Sequence, residues 1–137
     1  MALPAGAIGE PFVDADDIAD AAVAALTEPG HVGQLYELTG PRLLSFPEAI
    51  AEISRACGRE IRYRQISLEA YADLLERAQV PLPIITLVTY LFGEVLDGRN
   101  APLTDGVRRA LKRAPRDFRD YARSTAATGV WNTSVTT

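Results

Sequence analysis

The sequence is most informative at first through what it holds in single copies. One cysteine, Cys57, excludes an internal disulfide and fits a reducing cytoplasm. With one histidine, His31, beside it, no Cys/His zinc site is to be expected. No Lys or Arg precedes Arg42, and the single lysine is Lys112. The most apolar run, Ile84 to Phe92, is too short for a helical membrane span and contains two threonines. No basic-then-apolar leader opens the chain, so a soluble, cytoplasmic protein is expected. A net charge of -4 gives no sign of a nucleic-acid partner.

What is present suits one globular domain: 137 residues, 47% apolar and 23% charged. The charge is unevenly placed. Seven acids lie between Met1 and Pro41, while seven basic residues face two acids between Arg108 and Arg123. Such a basic stretch reads as a solvated helix face.

Punctuation along the chain predicts an alternation of short strands and helices. Residues 1–10 are expected to be loop, and Phe12-Val13 a strand end. Asp14 then caps a helix carrying Ile18, Ala21, Ala22, Ala25 and Leu26, closed by Pro29-Gly30. Gln34 to Thr39 reads as a strand. Ser45-Phe46-Pro47-Glu48 is a capping box opening a helix with Ala49, Ile50, Ile53 and Cys57 on one face. Ile61 to Ile66 alternates as a half-exposed strand does. Ser67 caps a helix with Leu68, Tyr71, Leu74, Leu75 and Ala78 as its stripe. Residues 83–96 carry β-branched side chains but have helical length, and helix is preferred. Being apolar nearly all round, that helix is central to the core or half of an interface. Thr104 and Asp117 cap the last two helices, and residues 132–137 read as a disordered tail. The fold class expected is α/β and mostly helical, with two or three short strands and about six helices.

Several segments resemble one family. Pro11-Phe12-Val13-Asp14 through Asp17-Ile18-Ala19-Asp20 is similar to the late strand-to-helix junction of NmrA-like, atypical extended short-chain dehydrogenases. Leu35-Tyr36-Glu37-Leu38-Thr39-Gly40-Pro41 resembles the strand and turn that follow. Ser45 to Ala49, Gly58 to Ile61, and Arg109 through Pro115-Arg116-Asp117-Phe118 resemble later segments in the same order. Some bacterial members are labelled by similarity to ergot-alkaloid reductases. The resemblance implies that residues 11–131 form the substrate-side, C-terminal portion of a Rossmann-type NAD(P)-binding fold.

The dinucleotide loop of that family is not in these residues. Gly6-Ala7-Ile8-Gly9 follows no predicted strand and is continued by Phe12 where a third glycine belongs, and Gly30-His31-Val32-Gly33 leads into a strand. No tyrosine has a lysine four positions on, so the Tyr-x-x-x-Lys proton donor is not present and no catalytic residue is assigned. Asp14, Asp16, Asp17 and Asp20 fit a cap and a solvated first turn better than a metal site, and His31 reads as a surface loop residue. Cys57 reads as core. Phe12, Tyr90 and Phe92 are the candidate substrate-lining residues.

The resemblance implies NAD(P) as the cofactor of the whole protein, with none expected to bind this chain alone. It also implies a small-molecule substrate, and either a homodimer or a chain supplying the other Rossmann half. The face Ile18, Ala22 and Ala25 would then cover strands this chain does not supply. The readings open at this point are a substrate-binding part of an NAD(P)H-dependent oxidoreductase, a dinucleotide-sensing regulator, and a self-standing dimeric interaction domain.

Overall fold

The computed structural model describes residues 1–132, so the tail expected at 132–137 lies, apart from Asn132, outside the described residues. Two parallel two-residue strands are present, β1 (Ala2–Leu3) and β2 (Arg64–Gln65), with Ala2 opposite Arg64 and Leu3 opposite Gln65. The opening segment is thus not all loop. Its carbonyls at Met1 and Leu3 accept from the N–H groups of Arg64 and Ile66, at 2.9 and 3.1 Å. Backbone groups half out of water need such partners, and β2 supplies them.

Six α-helices follow the same order as the sequence punctuation: α1 (Ala15–Thr27), α2 (Phe46–Cys57), α3 (Leu68–Arg77), α4 (Leu82–Tyr90), α5 (Gly106–Leu111) and α6 (Phe118–Ala127). Caps set most of their starts. Ser45 accepts from the Glu48 N–H while Glu48 accepts from the Ser45 N–H at 2.7 Å, the reciprocal box expected from the sequence. That geometry also pulls the Glu48 carboxyl below its usual pKa. Asp14, Ser67 and Asp117 cap α1, α3 and α6. The segment at 83–96 is helical, as α4 followed by a π-helical turn at Leu91–Val95. Within it the Thr89 hydroxyl donates to the Ile85 carbonyl at 2.8 Å, which gives that polar group a partner in an otherwise apolar helix.

Three expected features differ. Phe12-Val13 and Gln34 to Thr39 form no strand. The second segment is held by side chains and loop backbone instead. The Thr104 N–H donates to Thr39 Oγ1 at 3.0 Å, the Thr104 hydroxyl donates to the Glu37 carbonyl, and Arg109 reaches the Leu35 carbonyl at 3.3 Å. Thr104 therefore does not cap α5, whose first turn follows Asp105 without a side-chain cap. The α3 stripe is only half-buried, with Leu74 and Ala78 exposed, and α4 is the helix that packs on it.

The helices pair as α1 with α5, α2 with α6 and α3 with α4. Buried positions are rich in alanine (Ala21, Ala24, Ala49, Ala110 and Ala122), which lets the paired helices approach closely. Such small side chains bury little apolar area each. Ion pairs tie the same helices together, and they account for the uneven charge. Asp17, with no exposed surface, accepts the Arg116 backbone N–H at 2.7 Å and meets Arg113 at 2.8 Å. Asp20 binds both arginines, at 2.7 and 3.1 Å. The basic stretch is therefore not a simple solvated face, and Asp17 is not part of a solvated first turn. Arg42 and Asp117 form a two-pronged pair at 2.7 and 2.8 Å, and Glu52 is ringed by Arg42, Arg55 and Arg119. Among the described residues, no helix is long and apolar enough to cross a membrane.

Candidate functional site

An aromatic seam crosses the molecule. Tyr71 meets Phe92 at 5.6 Å between ring centres, Phe92 meets Phe46 at 5.5 Å, and Phe46 meets Phe12 at 5.3 Å. Phe12 continues to Phe118 at 5.4 Å, Phe118 to Tyr121 at 5.6 Å, and Tyr121 to Trp131 at 6.0 Å. Every contact is edge-on or tilted, the arrangement that the ring quadrupole favours. Four helical elements and the approach to α1 contribute to it. Phe46 is placed by the α2 capping box, Phe118 by the Asp117 cap, and Phe92 by the π-helical turn. Turns of that kind often re-aim a side chain at a functional site.

Two cavities lie against different stretches of the seam. One, of about 250 Å³, lies between Phe12, Phe118 and Tyr121, with Asp14 and Arg116 at its edge. The other, of about 100 Å³, is walled by Phe46, Phe92 and Leu96 and by the segment Pro4 to Glu10. Of the expected lining residues, Phe12 lines the first cavity and Phe92 the second, joined through Phe46. Tyr90 is exposed on α4, outside both cavities and outside the seam. A groove of about 270 Å³ is lined by Glu52, Arg55, Ala56, Arg119 and Arg123, one acid against three arginines. Arg119 donates to Glu52 and holds its carboxyl below the usual range.

Glu10 escaped the sequence reading. It is one of the residues lining the smaller cavity, 6% exposed, and its Oε1 is buried without a hydrogen-bond partner among the described residues. Burial raises its pKa, and the nearby charge of Asp97 raises it further. Asp97 itself is clasped by Arg99 at 2.7 Å, which lowers its pKa to about 2. The one signal available beforehand was an isolated acid between Gly9 and Pro11 in an otherwise apolar stretch. His31 lies in a loop, as expected, but is half-buried there, its Nδ1 hydrogen-bonded to the Tyr36 hydroxyl at 2.9 Å.

Two places that a dinucleotide pyrophosphate would seek are unsuited to it among the described residues. Gly6 to Gly9 opens no helix. The α1 N-terminus, where a phosphate would seek backbone N–H groups, is ringed by Asp14, Asp16 and Asp17.

No protein-family model matches the chain. Over 125 residues, 91% of its length, it is 35% identical to the NAD(P)H azoreductase of Xenophilus azovorans, of which it covers 44%. It is 32% identical over 113 residues to festuclavine synthase II of Penicillium roqueforti, covering 82% of this chain and 39% of that one. Its fold superposes on the Escherichia coli NADPH-dependent quinone oxidoreductase in complex with NADPH with a TM-score of 0.81, at 18% identity, over 91% of this chain and 44% of the other. This chain belongs to the NmrA-like, NAD(P)-binding short-chain dehydrogenases and matches their C-terminal part.

The NmrA-like family thus accounts for the fold as a mostly helical portion of a Rossmann-type architecture. The chain spans less than half the length of the relatives it matches. In an NmrA-like chain of this extent, an uncovered apolar face has a ready meaning. Ile18, Ala22, Ala25 and Leu26 on α1 are exposed, Leu26 by 85%, and Leu35 on the neighbouring extended segment by 77%.

Proposed function

We propose that the chain is the substrate-binding portion of an NAD(P)H-dependent oxidoreductase of the NmrA-like type and is inactive alone. The observation that carries this reading is the 35% identity, across 91% of the chain, to a reductase named for NAD(P)H. The cofactor loop comes from residues outside these 137, in the same or another polypeptide. Those residues pack on the face made by Ile18, Ala22, Leu26 and Leu35, which otherwise leaves apolar surface in water.

In this reading the cavities beside Phe12 and Phe92 receive a small-molecule substrate, and the aromatic walls favour a flat apolar body. Tyr90 belongs to an outward interface rather than to the substrate wall. The chain's own residues supply binding and exclusion of water, and the nicotinamide supplies the hydride when bound elsewhere.

Calorimetric titration of NADPH into the folded chain tests the reading. No saturable heat is expected. Saturation near micromolar concentration would mean that the chain builds a dinucleotide site without a glycine-rich loop, and the reading would fail.

A second reading is a dimeric interaction domain. Leu82, Ile84, Leu87, Tyr90 and Leu91 are all exposed, giving α4 and its π-helical turn an apolar outer surface. A concentration-independent monomer in light scattering would eliminate it.

A further inference from the structure

We propose that the groove between α2 and α6 binds the phosphate end of a phosphate monoester, held by Arg55, Arg119 and Arg123. The proposal goes beyond the oxidoreductase reading and does not depend on it.

Arg55 and Ala56 line the groove from α2, and Arg119 and Arg123 line it from α6. Arg119 and Arg123 are four positions apart in one helix, so they share a face. Packing of α2 against α6 brings Arg55 to the same space. The ion pairs around it do not balance. Two carboxylates, Glu52 and Asp117, meet three guanidiniums, those of Arg42, Arg55 and Arg119. Arg123 adds a fourth, and its guanidinium has no partner among the described residues. Four cations against two anions leave two positive charges over, in a chain whose net charge is -4. The other acids of the two helices, Glu48 and Asp120, do not line the groove, and Glu48 is taken up by the α2 cap.

The guanidiniums are both positioned and available. Arg119 donates from Nε and Nη2 to Glu52 at 3.3 and 3.4 Å, and Arg55 meets the same carboxylate at 3.0 Å. Glu52 is 6% exposed, whereas the side chains of Arg55 and Arg119 are 67% and 55% exposed. The acid thus serves as a buried anchor while the arginines stay open to solvent. A guanidinium carries five N–H donors, so most remain unspent. Forks held in place beforehand lose little freedom when a ligand arrives.

The same features select the ligand. Three forks suit the three terminal oxygens and double charge of a phosphate monoester better than the two oxygens and single charge of a carboxylate. Sites that enclose a whole drug-sized ligand begin at about 300 Å³. At about 270 Å³ and open to solvent, this groove takes one end group and leaves the rest of the molecule outside.

Phenyl phosphate, inorganic phosphate, dimethyl phosphate and benzoate test this on the chain itself at low salt. The Nε–H signals of Arg55, Arg119 and Arg123 and the Ala56 amide are followed by nuclear magnetic resonance. Phenyl phosphate is expected to shift them saturably with a dissociation constant on the order of 1 mM, and inorganic phosphate to match it. Dimethyl phosphate and benzoate, each with a single charge, should bind about tenfold more weakly. Arg123→Gln removes no ion pair, so the fold should persist while phenyl phosphate binds about tenfold more weakly, the effect of one charge-assisted hydrogen bond. Arg123→Lys, which keeps the charge without the fork, should fall between the two.

Equal binding of all four probes would mark attraction by net charge alone. No saturable shift would mean that the arginines serve only to pair the helices. Saturation by inorganic phosphate but not by phenyl phosphate would restrict the groove to the free ion. Each of these, or unchanged affinity in Arg123→Gln, would overturn the proposal. If Arg123→Gln does not fold, the ranking of the four probes on the wild-type chain decides. Binding on the order of 1 mM lies about a thousandfold away from the micromolar NADPH heat that tests the oxidoreductase reading, so the two can fail separately.

Discussion

Asp17 on α1 and Arg116 ahead of α6, 99 positions apart, meet through two contacts at once: the carboxylate accepts the Arg116 backbone N–H at 2.7 Å and is also bound by the guanidinium. Because Asp17 has no exposed surface, water cannot replace it as the acceptor. Asp17→Ala is expected to destabilise the fold by about 3 kcal/mol, through an orphaned buried N–H and the loss of a charged partner. Asp17→Asn, which keeps an acceptor, should lose less. Urea unfolding followed by circular dichroism measures both, and equal, small losses would show that the contact is dispensable.

Gly40 lies so close to the Phe12 carbonyl that any Cβ would collide with backbone. Gly40→Ala should therefore displace Phe12 from the seam. The expected signs are a loss of several kcal/mol, the scale of severe overpacking and strain, and altered near-ultraviolet dichroism from the aromatic rings. Wild-type stability in this variant would contradict the packing described.

The Arg42–Asp117 pair sets a pH dependence. The arginine lowers the Asp117 pKa from 3.8 to about 2. A carboxyl with a depressed folded-state pKa stabilises the fold above its unfolded value, and that contribution is lost as pH falls from near 4 to near 2. Both side chains are about one-third exposed, so screening limits the effect to about 1 kcal/mol. Melting temperatures of wild type and Asp117→Asn should converge on acidification. The cap that Asp117 gives α6 is kept in part by the amide, which isolates the charge effect.

Phe46 is the ring shared by the two halves of the seam. Phe46→Leu should cost about 1 to 2 kcal/mol and Phe46→Ala about 3 kcal/mol. A double-mutant cycle with Phe12→Leu should show coupling of about 0.5 to 1.5 kcal/mol, whereas additivity would indicate rings that merely lie near each other.

Leu26→Lys places a charge on the uncovered α1 face. It should leave the stability of this chain within about 0.5 kcal/mol of wild type. If the face is a docking surface, the same change should abolish self-association or capture of a complementary Rossmann half in light scattering.

Local signals made much of this architecture legible. Ser45 with Glu48, Asp14, Ser67 and Asp117 bond to backbone within three residues, so neighbouring letters identify the helix starts. Gln34 to Thr39 misled for the same local reason: its residues favour an extended chain, but a ladder requires a strand alongside, and Thr104 and Arg109 stand there instead. The charge asymmetry was visible, yet which arginine meets which acid depends on how α1 and α5 pack. Glu10 was the least legible feature. It is buried where its backbone bridges to Leu44 and its cavity is shared with Phe46, Phe92 and Leu96, all distant in the chain, and nothing local to residue 10 encodes that.

The long-range clasp on Asp17 has a bearing on how the chain reaches its native state. A nascent chain can form α2 from its own neighbouring residues as soon as they emerge. Helix α1 cannot bury Asp17 until Arg113 and Arg116 have been synthesised, so its native docking is a late event with a costly loop to close. A protease cut between Leu111 and Arg113 would accordingly sever α1 from the covalent tether of its arginine clasp while leaving α5, its packing partner, on the same fragment.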